Sequence, residues 1–247
     1  MEQSVGQDIL FLPEVTNCIS SDWVHLNNVL GLYEGNFFIK KISERARDLK
    51  IWVALGSVAV KVNSTDERYV NRSILINSNG GIVAWYDKIH MFDVTISDTE
   101  SYQESKHYQQ GKHAVLAQTP WANIGLTICY DLRFAGLYRT LAKSGAQILT
   151  APAAFTCSTG KAHWHTLIKS RAIETGCFLI ASAQTGEHPG SNRKTYGHSL
   201  IVNPWGEVIL DGGKLPGLFF AKLDLREVKS ARNRIPSLSD NSEFKIR

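Results

Sequence analysis

Two spacings of apolar residues alternate along the 247-residue chain. Short runs rich in β-branched and aromatic residues recur at DILFLP (8–13), IWVALGSVAVK (51–61), RSILIN (72–77), GIVAWYDK (81–88), ANIGLTIC (122–129), AQILTAP (146–152) and CFLIASA (177–183). Each has the length of a buried strand. SLIVN, EVILD and GLFFAKLDL carry the same reading toward the end of the chain. NSNGG (77–81), TPWAN (119–123) and NPWGE (203–207) predict hairpin turns, because Gly, Asn and Pro supply the required dihedrals. Helical spacing places Phe38, Ile42 and Leu49 on one face of 36–50, and Leu137, Leu141 and Ala142 on another. A third helix carries Trp164, Leu167, Ile168 and Ile173 and is closed by Gly176. Segments 89–112 and 184–197 follow neither spacing and read as long polar loops, common places for a site. Many strands separated by single helices predict packed sheets with helices outside, in one domain over 1–247.

Composition narrows the function classes. The chain is 43% hydrophobic and 20% charged, ordinary for a globular domain. Its formal charge of +4 is spread out, with one dense basic cluster at Arg226 to Arg234, so nucleic-acid binding is not expected. No apolar stretch approaches the ~20 residues that span a bilayer, and MEQSVGQD lacks the regions of a signal peptide, which predicts a cytoplasmic protein. The 4 cysteines show no metal-binding spacing and are expected as free thiols.

Three apolar runs end in a chemically active residue: DILFLPE in Glu14, GIVAWYDK in Lys88 and ANIGLTIC in Cys129. Singly, each is more often a solvated strand end or an inert core thiol. Together they match nucleophilic acyl transfer. Glu14 would take the thiol proton and return it to a leaving amine. Lys88 would favour the thiolate and, with the Tyr130 N–H, stabilise the oxyanion. The turn CYDLRF would expose the nucleophile at a sharp strand-to-helix bend. Two rival readings remain open at this point. One is a Cys–His enzyme using His90 or His198 as base. The other is a metal site at His163 and His165, which helical geometry disfavours because residues two apart face different sides.

The motifs FLPE, YDKIHMFD and GLTICYDLRF resemble those of the nitrilase superfamily of carbon–nitrogen hydrolases, and the likeness continues through ILTAPAAFT, GKAHWHTLIKSRAIETG, TYGHSLIVNPWGEVI and DLREVKSARNRIPSL. The resemblance implies an α-β-β-α four-layer sandwich that pairs into a homodimer. It implies Glu14 as base, Lys88 as oxyanion stabiliser, Cys129 as nucleophile and Glu104 of ESKHYQQG as a second glutamate positioning lysine and substrate. Tyr130, Arg133, Phe155 and His163 are then expected at the substrate. No cofactor or metal is required. Within the family the chain is most similar to amidases of deaminated glutathione and related ω-amides, whose substrates carry carboxylates; Arg133, Lys161, Arg171, Arg193 and Lys194 are candidate cations at the mouth. Nitrile and N-carbamoyl substrates, and a non-catalytic binding subunit, are the alternatives. The chain departs from the family pattern at Gln110, at Ala135–Gly136 and at His165. It also starts almost on the strand that leads to Glu14, about 25 residues later than the family pattern. That predicts unpaired backbone at one sheet edge.

Overall fold

The computed structural model describes residues 1–20, 22–62, 67–188, 193–243 and 245–246. In chain order it contains β1 (Ile9–Phe11), α1 (Trp23–Val29), α2 (Phe37–Leu49), β2 (Trp52–Val60), β3 (Tyr69–Ile76) and β4 (Ile82–Asp87). A hairpin of β5 (Asp93–Ser97) and β6 (Glu100–Gln103) follows, then β7 (Tyr108–Gln109), β8 (Val115–Gln118) and β9 (Asn123–Leu126). A 3₁₀ turn at Cys129–Arg133 leads into α3 (Ala135–Lys143), β10 (Ile148–Thr150), α4 (Cys157–Thr175) and β11 (Phe178–Ala181). The chain closes with the β12 (Thr185–Glu187) and β13 (Lys194–Tyr196) hairpin, β14 (Leu200–Val202), β15 (Val208–Asp211) and α5 (Arg226–Arg234).

Two sheets form the middle of the molecule. One runs β1-β2-β3-β4 with β7 also on β3; the other runs β15-β14-β11-β10-β9-β8. The predicted turns close as hairpins, with Asn77 N–H donating to Gly81 O, Thr119 N–H to Ala122 O and Asn203 N–H to Glu207 O. β3 is buried at every position, as a strand covered on both faces should be. Ile39, Ala46 and the partly buried Phe38, Ile42 and Leu49 of α2 cover the outer face of the first sheet against Val53, Leu55 and Ile74. Tyr138 and Leu141 of α3 and Trp164 and Ile168 of α4 cover the second against Ile124, Leu149 and Leu179. The layers are therefore α-β-β-α. Small side chains, Ala54, Ala84 and Ala117, fill part of the gap between the sheets.

The structure departs from the pattern in four places. GLFFAKLDL (217–225) has the composition of a strand but pairs with no strand among the described residues, and Phe219 and Phe220 are exposed. A strand without a ladder neighbour has no partner for its backbone groups. The loops 89–112 and 184–197 each contain a short hairpin that apolar spacing could not reveal, since β5 alternates only between exposed and half-buried positions. The basic cluster at 226–234 is α5, seated by Val228 and Ala231. Ile173, expected on the buried face of α4, is exposed. β1 pairs only with β2 among the described residues.

Candidate active site

Glu14 follows β1 in a turn strapped to β2. Leu12 N–H donates to Ala54 O, Ser57 N–H to Pro13 O and Val15 N–H to Ser57 Oγ. This turn lies so close to Gly56 that a Cβ there would sit 1.9 Å from Leu12 O and 2.3 Å from Pro13 O. Only glycine allows that approach. From the second sheet, Ala154 N–H donates to Glu14 Oε2 at 2.8 Å, Gln184 Nε2 to Glu14 O at 2.9 Å and Ser182 Oγ to Phe11 O at 3.1 Å. Glu14 thus bridges the two sheets.

Cys129 ends the run that begins with β9, and its φ of +49° lies in the left-handed region. For a residue with a Cβ that conformation costs about 1–2 kcal/mol. It is held by Cys129 N–H donating to Pro152 O and by the fully buried Asp131. The Asp131 carboxylate accepts from Ile128 N–H (2.8 Å), Tyr86 Oη (2.7 Å) and His90 N–H (3.0 Å), with His90 Nδ1 at 2.7 Å. Hydrogen bonds to a charged acceptor contribute about 1.5–3 kcal/mol each, so together they outweigh the strain. The acid packed behind the thiol in CYDLRF shapes the bend.

Lys88, just past β4, points its ammonium between two carboxylates, 3.2 Å from Glu14 Oε1 and 2.8 Å from Glu104 Oε2. β4 is fixed to β3 beside it by the forked Arg72–Asp87 pair. Glu104 Oε2 also accepts from Phe92 N–H at 2.7 Å. Asn71 Nδ2 donates to Glu14 Oε1 at 2.9 Å and reaches Glu104 Oε1 at 3.4 Å.

Burial alone would raise the pKa of Glu14, but the charges of Lys88 and Arg193 and hydrogen bonds with Cys129 and Asn71 hold it below the usual carboxylate value. Burial likewise opposes the charge on Lys88, and Glu104, Glu14 and Cys129 overcome it, keeping the ammonium protonated far into the alkaline range. The Cys129 thiol moves the other way. Burial and then the Glu14 charge push its pKa up more strongly than Lys88 pulls it down. The resting site therefore holds a neutral thiol hydrogen-bonded to an ionised carboxylate, beside an ammonium. Lys88 favours the thiolate, but burial and the Glu14 charge outweigh it.

These groups open on a cleft of about 1230 Å³, larger than the 300–1,000 Å³ common for small-molecule sites. Glu14, Lys88, Glu104, Cys129, Tyr130 and Phe155 all line it.

The carbon–nitrogen hydrolase sequence family matches residues 1–233. The chain belongs to this family. It is 41% identical over 203 residues to the deaminated glutathione amidase of Yersinia enterocolitica, covering 82% of this chain and 71% of that one. It is 37% identical over 238 residues to the Homo sapiens deaminated glutathione amidase, covering 94% and 71%. Among solved structures, the C. elegans NitFhit protein superposes with a TM-score of 0.89 at 36% identity, over 96% of this chain and 58% of that longer one.

For a carbon–nitrogen hydrolase, the remaining expected residues fall into two groups. Arg133 and His163 stand behind the cleft wall, joined by Arg133 Nη2 and His163 Nδ1 at 3.2 Å, with the guanidinium over the rings of Tyr130 and Phe155. Of the mouth cations, Arg193 and Lys194 line the cleft, whereas Arg171 is buried against Leu132 O and Glu174. His90 and His198, the rival bases, are bonded to Asp131 and Asp211 and do not line the cleft. His163 and His165 share no ligand geometry. His165 instead gathers with His198 and Asp211, the aspartate carboxylate lying 3.1 and 2.9 Å from the two imidazoles. Both separations are ordinary hydrogen-bond distances, so the trio reads as a hydrogen-bonded group. Asn71 and Asp131 were not singled out from the sequence. The available signal for Asn71 was a polar run, YVNRS, at the head of a strand that must be buried on both faces.

Proposed function

We propose that the protein is an amidase of small carboxylate-bearing ω-amides, of the deaminated glutathione kind, acting through a Cys129 thioester. The supporting observation is that one ionised carboxylate, Glu14, touches both the thiol and the ammonium at the floor of a single cleft. Cys129 Sγ attacks the amide carbon while its proton passes to Glu14. The negative oxygen that forms is stabilised by Lys88 and by the Tyr130 N–H, a first-turn amide of the 3₁₀ segment. Glu14 returns the proton to nitrogen and ammonia leaves. A water then gives its proton to Glu14 and attacks the thioester; the acid departs and the thiol regains its proton. Glu104 holds Lys88 in place throughout. Amide and water become acid and ammonia with no oxidant or reductant.

Support for the substrate class comes from the named relatives and from Arg193 and Lys194 on the cleft wall, cations suited to a carboxylate. Residues 1–247 act as one hydrolase domain. The homodimer reading is supported by an exposed apolar depression lined by Ile173, Trp205 and Ile235 beside α4 and α5. Cysteines that are all free thiols support a reducing, cytoplasmic setting, and no described helix is long and apolar enough to cross a membrane.

A turnover panel of deaminated glutathione, α-ketoglutaramate, an N-carbamoyl amino acid and a simple nitrile tests the reading. The ω-amides should give the highest kcat/KM, and Cys129→Ala should lower it by at least about 10³-fold while thermal unfolding is retained. A nitrile or carbamoyl compound turned over best would replace the substrate class. Wild-type protein inert to all of them, with no adduct at Cys129, would favour a binding subunit.

A further inference from the structure

Asn71 is 2% exposed and sits on β3, facing the two carboxylates that flank Lys88. Its orientation is dictated by chemistry. With the oxygen turned toward Glu14 and Glu104, a carbonyl would confront two anions; with Nδ2 turned toward them, each carboxylate receives an N–H. The consequence is that Oδ1 lies buried with no hydrogen-bond partner among the described residues. A buried orphan acceptor is a cost that folded proteins seldom carry without reason. The reason lies in the charge count. Glu14 and Glu104 bring two negative charges to one ammonium, and both Oε1 atoms contact the same Nζ, at 3.2 and 3.0 Å. Carboxylates crowded in this way tend to keep a shared proton. A proton held there would take away either the base or the clamp on Lys88.

We propose that Asn71 is a positioning residue for hydrolysis: its amide donates to Glu14 and Glu104 together, holding the Glu14 carboxylate ionised and in place so that it can accept the Cys129 proton. This rests on the thiol-hydrolase reading above. Among the described residues, Lys88 after β4, Cys129 after β9 and Arg193 on the β12–β13 hairpin act on Glu14, and Tyr108 on β7 faces both carboxylates. Lys88 already contacts both Oε1 atoms.

The test compares wild type with Asn71→Leu, which has similar volume and no donor, and Asn71→Ser, which keeps one. Cys129 is alkylated with iodoacetamide across pH, and its rate is followed by peptide mass spectrometry. Sulfur bonds to the methylene carbon, iodide leaves and the thiol proton goes to Glu14, so the acid limb reports the base directly without any assumed substrate. The limb should move up by about one pH unit or more in Asn71→Leu and by less in Asn71→Ser. At neutral pH kcat on the ω-amide should fall about tenfold or more in Asn71→Leu, with KM changed by less than about threefold. Should Asn71→Leu fail to fold, the Asn71→Ser limb decides. A limb unmoved in the folded variants overturns the proposal, whatever happens to kcat. A shifted limb in a protein whose wild type turns over no ω-amide would uphold the role of Asn71 and reject the substrate reading.

Discussion

A thiol largely buried beside a carboxylate keeps its proton until substrate arrives. Cys129 is in that position, and the proposed division of labour among its neighbours follows: Glu14 to move protons, Lys88 to hold developing negative charge, and Glu104 and Asn71 to hold the first two in place. The direction of the Glu14 shift makes a stability prediction. Its folded pKa lies below the ordinary value, so its contribution is present above about pH 4.3 and is lost as pH falls through the folded value. Urea midpoints of wild type and Glu14→Gln should differ by a constant amount above about pH 5, and the difference should change against wild type on further acidification. Lys88 acts at the other end. Its raised pKa keeps its contribution intact below about pH 10.4 and loses it only as pH climbs through the folded value. The meeting of Glu14, Lys88 and Cys129 at one cleft was foreshadowed in the sequence because each ends an apolar run. Asn71 was not, because nothing in a single strand tells which polar side chain will meet a charge 57 residues away.

At the scale of elements, the strands announced themselves because burial on both faces demands unbroken apolar runs, as in β2 and β3. Elements seated by one or two side chains did not. α5 buries Val228 and Ala231 under a basic surface, and α1 is seven residues started by Asp22, whose carboxylate accepts from Val24 and His25 N–H. GLFFAKLDL shows the converse: a strand needs a neighbour as well as a composition. The close approach of β2 to the Glu14 turn supplies the prediction at this level. Gly56→Ala would drive a methyl into Leu12 O and Pro13 O and push the turn away from the second sheet. We expect a loss of about 1–3 kcal/mol of stability and a fall in kcat of at least tenfold, roughly the effect of misplacing a base by a fraction of an ångström. Unfolding curves and steady-state kinetics on the purified variant measure both; a variant with full kcat would mean that the turn relaxes without carrying Glu14 with it.

For the whole molecule, the four layers leave apolar surface uncovered at Ile173, Trp205 and Ile235, each more than two-fifths exposed. Sedimentation velocity should show a dimer, and Ile173→Lys or Ile235→Lys should shift it toward monomer, since burying an unpaired ammonium in an apolar contact is unfavourable. A monomeric wild type would remove this surface from the account. The sandwich has another consequence at this scale. Glu14 is fastened to β2 on one side and to Ala154 and Gln184 on the other, while the spacing between the layers is set partly by Ala54, Ala84 and Ala117. The distance from acid to sulfur is thus a gauge of interlayer thickness: any swelling of those alanine positions is transmitted to the reacting atoms, and turnover should fail in such proteins while they still fold.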